Sequence, residues 1–172
     1  MPLDLERVAA DSVELADRML TEIRTLSHLL HPPLLEELGL VSAIRTYVDG
    51  FSERSGIAVH LDVPENLGRH APELETAIFR IVQEGLTNVY RHSGGTQCWI
   101  TIRLEGGTLQ LELRDDGAGL RMETLEDLER GGPAFGVGLS GMRERARQLQ
   151  GHLDIESTAS GCMVRSVFPV NR

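Results

Sequence analysis

Apolar side chains recur at helical spacing through the first 30 residues of the chain. They are three, four or seven positions apart, with charged residues between them, at Leu5, Val8, Leu15, Met19, Ile23, Leu26 and Leu30. This spacing predicts one long amphipathic helix over residues 3–30. The helix should end at His31-Pro32-Pro33, because proline disfavours helix in the residue before it and has no amide hydrogen to donate. A helix of this length with one apolar stripe needs a packing partner. We expect a helix of a second chain, with packing against its own domain as the alternative.

The rest of the chain mixes helical and strand patterns. Helices are predicted from position 34 or 40 to about 55, from about Pro72 through Val89, and over 139–150 with Gly151 as the stop. Strands are predicted at 57–63, 98–104, 109–113, 152–157 and 163–168, with a hairpin at Gly106-Gly107. A turn is expected at 115–119, and the polar, glycine-rich stretch 121–135 is predicted to be a loop. The mixture predicts an α/β two-layer sandwich with a mixed sheet over residues 34–172, preceded by the helical segment 1–33.

Composition and charge narrow the class of protein. The chain has 172 residues, of which 41% are hydrophobic and only 4% aromatic, so its core depends on aliphatic side chains. The formal net charge of -9 argues against a nucleic-acid surface, which needs clustered positive charge. No apolar run approaches the roughly 20 residues that span a bilayer. Cys98 and Cys162 have no metal-ligand spacing, so we expect a cytoplasmic protein with reduced thiols.

The first cluster of polar residues lies in the helix that begins near Pro72. Glu84 and Asn88 are four residues apart, and Arg91 and His92 follow at seven and eight, so one helical stripe is predicted to present all four. Mg2+ prefers oxygen ligands and keeps several waters, so one carboxamide oxygen together with nucleotide phosphates would suffice to hold it. A solvated helix face is the alternative for this cluster taken alone.

The second cluster, Asp115-Asp116-Gly117-Ala118-Gly119, directly follows a predicted strand. Gly117 and Gly119 have no side chains where a ligand could approach the backbone. The Asp115 carboxylate could accept a hydrogen bond from an amino group such as that of adenine. Acidic residues and glycines are also usual in turns, so a plain turn remains the alternative.

The third cluster opens a predicted helix and runs Gly136-Val137-Gly138-Leu139-Ser140-Gly141. It matches the dinucleotide pattern G-x-G-x-x-G, but the strand that this motif requires does not precede it. A glycine turn that enters a helix still presents free amides, and the positive end of the helix dipole, to a phosphate. The P-loop pattern is absent from the sequence. We therefore expect an anion to bind at this helix start without either of those two motifs.

Taken together and in this order, the three clusters resemble the sequence boxes of the GHKL (Bergerat-fold) ATPase superfamily, which includes DNA gyrase and MutL. The N-box is matched by Glu84, Asn88, Arg91 and His92, the G1 box by Asp115, Gly117 and Gly119, and the G2 box by Gly136, Gly138 and Leu139. Residues 28–40 (HLLHPPLLEELGL) are similar to the junction after the second dimerisation helix in sensor histidine kinases of the nitrate-sensor and DesK type. Residues 138–145 (GLSGMRER) are similar to the G2 segment of the same kinases.

The resemblance implies an ATP site in which each cluster has a role. Asp115 would accept from the adenine amino group, Asn88 would hold Mg2+, and Glu84 would orient or deprotonate a water or another ligand of the metal. Arg91 and His92 would lie near the phosphates, and residues 121–135 would form a short lid. The phosphates would be wrapped by Gly136, Val137, Gly138, Leu139, Ser140 and Gly141.

The resemblance also implies a protein histidine kinase that transfers the ATP γ-phosphoryl group to a histidine on a dimerisation helix. A response regulator would act downstream, and the full-length protein would form a homodimer through residues 3–30. The acceptor in such kinases is a histidine followed by an acidic residue, and none of the six histidines here has that neighbour. His28 and His31 match the junction, so the acceptor is expected outside this chain.

Two other functions remain open beside the histidine kinase. An anti-sigma-type serine kinase shares the three boxes, whereas the residues 28–40 favour the histidine kinase. A non-catalytic dimerising scaffold is the third possibility, and the intact Glu84, Asn88 and Asp115 argue against it. Cys162 stands where the family usually has threonine, and a thiol is a weaker donor than a hydroxyl. We interpret Cys162 as a small apolar strand residue.

Overall fold

The computed structural model describes residues 33–120 and 137–170 of the chain. The predicted helix 3–30, the predicted loop 121–135 and Gly136 lie outside the described residues. The helices are α1 (Pro33–Ser55), α2 (Pro72–Asn88) and α3 (Val137–Gln148), and a π-helical turn (Val89–Ser93) extends α2. The strands are β1 (Ala58–Asp62), β2 (Gln97–Glu105), β3 (Thr108–Asp115), β4 (His152–Thr158) and β5 (Gly161–Pro169). Each predicted strand is present, with ends within two residues of those predicted.

The five strands form one mixed sheet in the order β1-β2-β3-β5-β4. β1 pairs with β2 in parallel, and the other three pairings are antiparallel. The predicted hairpin is confirmed, because Glu105 pairs with Thr108 across Gly106 and Gly107, which both have positive φ. In β2, β3 and β5 buried side chains alternate with more exposed ones, as expected when one face of a sheet is covered. The other face is polar, with ion pairs such as Arg165 to Glu112 at 2.8 Å.

The helices cover the apolar face of the sheet, which gives the predicted two-layer sandwich. α2 begins at Pro72, whose fixed φ suits a helix and whose missing amide hydrogen would have no partner in the first turn. The fully buried apolar side chains of α2 are Ile78, Ile81, Val82 and Leu86. Burial of each stabilises the fold by about 1.5–3 kcal/mol. Gly85 brings α2 close to the sheet, since a Cβ there would lie 2.5 Å from Leu113 Cδ1.

α1 contains a break at Gly39, which explains why two helix starts could be predicted. The backbone of Gly39 is non-helical (φ 80°, ψ 173°), with helix on both sides of it. A side chain at this φ would be strained and its Cβ would lie 3.3 Å from Arg69 Cδ. The two predicted starts, near positions 34 and 40, therefore correspond to the two parts of one kinked helix.

α3 ends in a Schellman motif. The prediction that Gly151 ends the helix is wrong in one respect, because Gly151 is not the residue that adopts the left-handed conformation. Gly151 donates to Ala146 O (2.9 Å) and Gln150 donates to Arg147 O (3.1 Å), which are the two hydrogen bonds of the motif. The left-handed residue is Gln150 (φ 58°), and among the described residues it is the one non-glycine with positive φ. Gly151 is required by space, because a Cβ there would lie 2.5 Å from Val167 O. The helix therefore ends at Gln148, two residues before the predicted end.

Two kinds of feature are absent from the described ranges. None of the described helices combines the length and apolar character needed to cross a membrane. Nor do these ranges contain a group of three or more His, Cys, Asp or Glu side chains that could hold a metal ion. A Mg2+ held by one carboxamide and by nucleotide phosphates does not need such a group.

Candidate functional site

A cavity of about 80 Å³ lies between α2, the π-helical turn and the ends of β3 and β5. Among the described residues that were predicted for the site, five line the cavity: Asn88, His92, Asp115, Gly119 and Leu139. The lining residues that sequence reasoning did not assign to the site are Gly85, Val89, Ser93, Leu113, Leu120, Cys162 and Val164. Most of these are small or apolar members of α2 and of the sheet, so their sequence signal is that of core residues. The cavity therefore has apolar walls and a few polar groups, which is typical of small-molecule sites.

Asp115 is the buried acidic residue of this cavity, with 5% of its surface exposed. It ends β3, and its Oδ1 accepts a hydrogen bond from the Gly117 amide at 2.8 Å. The carboxylate also accepts from the backbone amide of Cys162 on β5. Burial raises the pKa of Asp115, and the two amide hydrogen bonds offset part of that rise. An ionised carboxylate has about four acceptor positions, so Asp115 can still accept from an amino group in the cavity.

Gly117 and Gly119 allow the 115–119 turn to pack against its neighbours. A Cβ on Gly117 would overlap Ser93 O, and one on Gly119 would overlap Thr158 O. Gly119 also has a left-handed backbone (φ 71°). The turn thus lies between the residue that ends the π-helical turn and the β4–β5 hairpin, with no room for side chains at these two positions.

Asn88 is the last residue of α2 and lines the cavity. Its Nδ2 is buried and has no hydrogen-bond partner within residues 33–120 and 137–170, which is uncommon for a buried amide. A flip of the carboxamide exchanges nitrogen and oxygen, so this position can present a donor or the oxygen ligand that Mg2+ prefers. An unpaired amide beside a cavity fits a residue that gains its partner from a ligand.

Glu84 lies one turn before Asn88 and contacts the start of α3. Its side chain is half-buried, and a Cβ on Gly138 would overlap its Oε1. Gly138 must therefore be glycine for Glu84 to lie there. The first turn of a helix has unpaired amides and the positive end of the dipole, which favour a carboxylate or a phosphate. The structure thus brings the first and third clusters of the sequence together.

The third cluster is described from Val137 onward. α3 begins at Val137, two residues before the predicted start, so Gly138, Leu139 and Ser140 belong to its first turn, with Gly141 following. Leu139 lines the cavity. The amides of Gly138 and Leu139 at this helix start are consequently close to the cavity, as the phosphate-binding prediction requires.

The prediction that one helical stripe presents the whole first cluster is wrong beyond Asn88. Residues Val89–Ser93 form a π-helical turn, whose wider spacing rotates the following side chains away from the α-helical stripe. Arg91 and His92 are both exposed. Of these two, the described lining of the cavity includes His92 alone.

Asp116 makes contacts that the sequence did not predict. Its Oδ1 accepts from the Thr96 amide (2.8 Å) and the Gln97 amide (2.9 Å), and its Oδ2 accepts from the Thr96 hydroxyl (3.4 Å). Its own amide donates to Gln97 O at 3.3 Å. The hydrogen bonds from the Gln97 and Thr96 amides lower the pKa of Asp116. In the sequence, both partners look like ordinary turn residues.

The two cysteines flank Asp115 in the sheet. Cys98 pairs with Asp115 across β2 and β3, and the Cys162 amide donates to the Asp115 carboxylate. Both thiols are free. Burial, followed by the charge of Asp115, raises the pKa of Cys98 to about 12 and that of Cys162 to about 11. Cys162 also lines the cavity, so it is a neutral wall residue of the site as well as a strand residue.

Comparison with known proteins identifies a family that this chain matches and several similar proteins. Residues 73–172 match the family described as histidine kinase-, DNA gyrase B-, and HSP90-like ATPase. The sensor histidine kinase MctS of Rhizobium johnstonii is 32% identical over 157 residues, which is 91% of this chain and 33% of that protein. The oxygen sensor histidine kinase NreB of Staphylococcus carnosus is 31% identical over 154 residues, which is 89% of this chain and 43% of that protein. The chain therefore spans less than half the length of these relatives.

Two solved structures share the fold. The histidine kinase domain of a blue-light activated histidine kinase from Erythrobacter litoralis has a TM-score of 0.63 at 19% identity, covering 76% of this chain and 61% of that one. The histidine kinase AdeS of Acinetobacter baumannii has a TM-score of 0.62 at 17% identity, covering 100% of this chain and 87% of that one. The predicted α/β sandwich is thereby confirmed at the level of the fold.

Proposed function

The chain belongs to the family of histidine kinase-, DNA gyrase B- and HSP90-like ATPases, and from that premise we propose that it is the ATP-binding catalytic region of a sensor histidine kinase. The observation that supports the proposal best is one cavity lined by the buried carboxylate of Asp115 and by the amide of Asn88, which has no hydrogen-bond partner in the part of the chain that the structure describes. A nucleotide offers a partner to both groups. An amino group of the base can donate to the Asp115 carboxylate, and a phosphate or its bound metal ion can contact the Asn88 amide.

The base of the nucleotide would bind at the 115–119 turn. Asp115 accepts from the exocyclic amino group of adenine, which guanine lacks at the equivalent position. Gly117 and Gly119 leave the turn without side chains, and Leu113 and Val164 offer apolar surface to the ring. The neutral Cys162 thiol adds a small wall group beside Asp115. Selectivity for adenine therefore follows from one buried acceptor in an apolar pocket.

The phosphates would bind between the end of α2 and the start of α3. The amides of Gly138, Leu139 and Ser140 lie in the first turn of α3, where an anion is favoured. The other residues of this cluster that would surround the phosphates are Gly136, Val137 and Gly141. On the other side of the phosphates, the π-helical turn carries Arg91 and His92. Asn88 would hold Mg2+, which neutralises charge on the phosphates when it is bound. Glu84 would orient a water of that ion.

The reaction proposed is transfer of the γ-phosphoryl group to a histidine. An imidazole nitrogen forms a bond to the γ-phosphorus while the bond from that phosphorus to the β–γ bridging oxygen breaks, and ADP leaves with the electron pair. The contribution of this chain is to bind and orient ATP, since phosphoryl transfer depends mostly on position and on charge stabilisation. The acceptor histidine would come from a dimerisation helix, and a response regulator would receive the phosphoryl group afterwards. Residues 3–30 would form the homodimer, with residues 34–172 as the catalytic domain in the cytoplasm.

The proposal is tested by nucleotide binding followed by phosphotransfer. Calorimetry would measure ADP and GDP binding with and without Mg2+ for the wild type, Asn88→Ala and the exposed control Asn66→Ala. We expect binding of ADP over GDP, and loss of the Mg2+ dependence in Asn88→Ala alone. Radiolabelled ATP would then be mixed with the chain and with a separate two-helix polypeptide that carries a histidine followed by an acidic residue.

The chemistry of the label separates the alternatives. Acid-labile, alkali-stable label on the two-helix polypeptide is the expected result, with no label on this chain alone. Acid-stable label on serine of a protein substrate would favour the serine kinase instead. Absence of ADP binding by the folded wild type would refute the proposed function and favour a dimerising scaffold.

A further inference from the structure

We propose that Asp116 is a positioning residue that fixes the 115–119 turn, where the base would bind, relative to the π-helical turn, which lies at the phosphate end of the site. This inference rests on the proposed nucleotide function. Asp116 does not line the cavity, unlike its neighbour Asp115. Its carboxylate instead binds Thr96 and Gln97 in the segment 93–97, which joins the π-helical turn to β2. The 115–119 turn belongs to the base end, and the π-helical turn with Arg91 and His92 belongs to the phosphate end.

The hydrogen bonds between the two segments come from both sides. Asp116 accepts from the Thr96 amide at 2.8 Å, the Gln97 amide at 2.9 Å and the Thr96 hydroxyl at 3.4 Å. In the other direction, the Asp116 amide donates to Gln97 O at 3.3 Å and the Ala118 amide donates to Ser93 O at 2.9 Å. Three of these five bonds use the Asp116 side chain, so its removal leaves the turn with two.

The glycines on both sides of this contact are required by space. A Cβ on Gly95 would overlap Asp116 Oδ1 and would lie 2.8 Å from Gly117 N. Gly117 N is the amide that donates to Asp115. Any displacement of Asp116 toward or away from the 93–97 segment thus moves the amide that orients the buried acid. Asp116 acts on nucleotide binding through Gly117, without touching the nucleotide.

The nature of the contact predicts which substitutions are tolerated. Asparagine at 116 retains an oxygen that can accept from the Thr96 and Gln97 amides, whereas alanine retains none. Asp116→Ala should therefore weaken ADP binding by roughly 3- to 30-fold. The 115–119 turn would be less ordered in the free protein, and the cost of ordering it on binding would reduce the affinity. Asp116→Asn should bind ADP within about 2-fold of the wild type. The hydrogen bonds from the two amides are kept and are only weakened, because neutral hydrogen bonds replace charge-assisted ones. Asp154→Ala, which removes an exposed acid from β4, is the matched control and should leave ADP binding unchanged.

A double-mutant cycle separates positioning from general loss of structure. Gly95→Ala should displace the Asp116 carboxylate and weaken ADP binding on its own. In the Asp116→Ala background the overlap with the Asp116 carboxylate is gone but the close approach to Gly117 N remains, so the same substitution should keep only part of its effect. Nuclear magnetic resonance of the Gly117 amide adds a direct readout, and its exchange with solvent should accelerate in Asp116→Ala and not in Asp116→Asn.

Each result of the calorimetric cycle has a distinct meaning. Weaker binding in Asp116→Ala and Gly95→Ala, rescue by asparagine and a non-additive cycle would support the positioning role. Unchanged affinity in folded Asp116→Ala, or additive effects, would overturn it while leaving the nucleotide site intact. Absence of ADP binding by the wild type would instead refute the proposed function itself. Should Asp116→Ala not fold, equal affinities of Gly95→Ala and the wild type would still overturn the inference.

Discussion

Replacing Asp115 with asparagine should separate nucleotide affinity from fold stability. The substitution keeps one side-chain oxygen, which has two acceptor positions and can still accept from the Gly117 amide at 2.8 Å and from the Cys162 amide. It replaces the second oxygen with an amino group and removes the charge. A donor would then face the adenine amino group, which is also a donor, so the predicted contact is lost without a change in side-chain size.

The magnitude follows from the burial of the site. Loss of one hydrogen bond to a buried acceptor costs about 1–3 kcal/mol, which is about a 5- to 150-fold loss of ADP affinity. The effect on stability has the opposite sign. Burial raises the pKa of Asp115, so the folded state binds its proton more tightly than the unfolded state does. Ionised Asp115 therefore lowers the stability as pH rises from the ordinary carboxyl pKa through the raised one. Asparagine removes this loss, so Asp115→Asn should be at least as stable as the wild type at pH 7.

The assay measures both quantities on one preparation. Calorimetric titration gives the affinity for ADP, and urea denaturation at pH 7 and pH 4 gives the free energy of unfolding. Asp154→Asn, at an exposed position of β4, is the control for loss of one negative charge. Parallel loss of stability and affinity in Asp115→Asn would mean that the acid serves the fold only. Unchanged affinity would exclude Asp115 as the contact to the base.

Two further predictions concern the stability and the thiols of the protein. Gln150→Gly should raise the free energy of unfolding by about 0.5–1 kcal/mol, because glycine adopts the left-handed backbone of this position (φ 58°) without strain. Urea denaturation measures this change. The control is Gln148→Gly, which places glycine at a helical position and should lower the stability. Native Cys98 and Cys162 should react very slowly with a maleimide at pH 8, since pKa values of about 12 and about 11 leave about 0.1% thiolate or less, and the rate should rise about tenfold per pH unit from pH 8 to about pH 10. Fast modification of the folded protein at pH 8 would contradict the burial of these thiols, and bound ADP should protect Cys162 in particular because Cys162 lines the cavity.

The sheet was predictable from the sequence because the alternation of side chains along each strand is local. The buried leucines of β3, Leu109, Leu111 and Leu113, are two apart in the chain, and the period of two fixes both the strand and its buried face. The hairpin at Gly106-Gly107 is equally local. The strand order and the parallel pairing of β1 with β2 depend on tertiary packing, so no pattern within one strand predicts them.

The helices depart from the predicted ones at two places where the backbone conformation changes locally. The hydrophobic period of the sequence does not reveal such changes. The break of α1 at Gly39 and the π-helical turn after Asn88 each change the angle between successive side chains, so a single 3.6-residue period fails across them. Asp116 was missed for another reason. Its partners, Thr96 and Gln97, are about twenty residues away along the chain, and their amides leave no mark on the sequence.

The geometry of Gly117 bears on whether the 115–119 stretch is a plain turn or a binding turn. A glycine placed for turn chemistry adopts a positive φ, and Gly119 does so. Gly117 is not among the positive-φ residues of the described part, so its torsion angles do not require glycine. Its requirement is spatial, because a Cβ would overlap Ser93 O. The same kind of requirement applies to Gly138 beside Glu84 and to Gly95 beside Asp116. These three glycines make room for Ser93 O and for the carboxylates of Glu84 and Asp116 beside the elements that line the cavity, an arrangement that a solvent-exposed turn would not need.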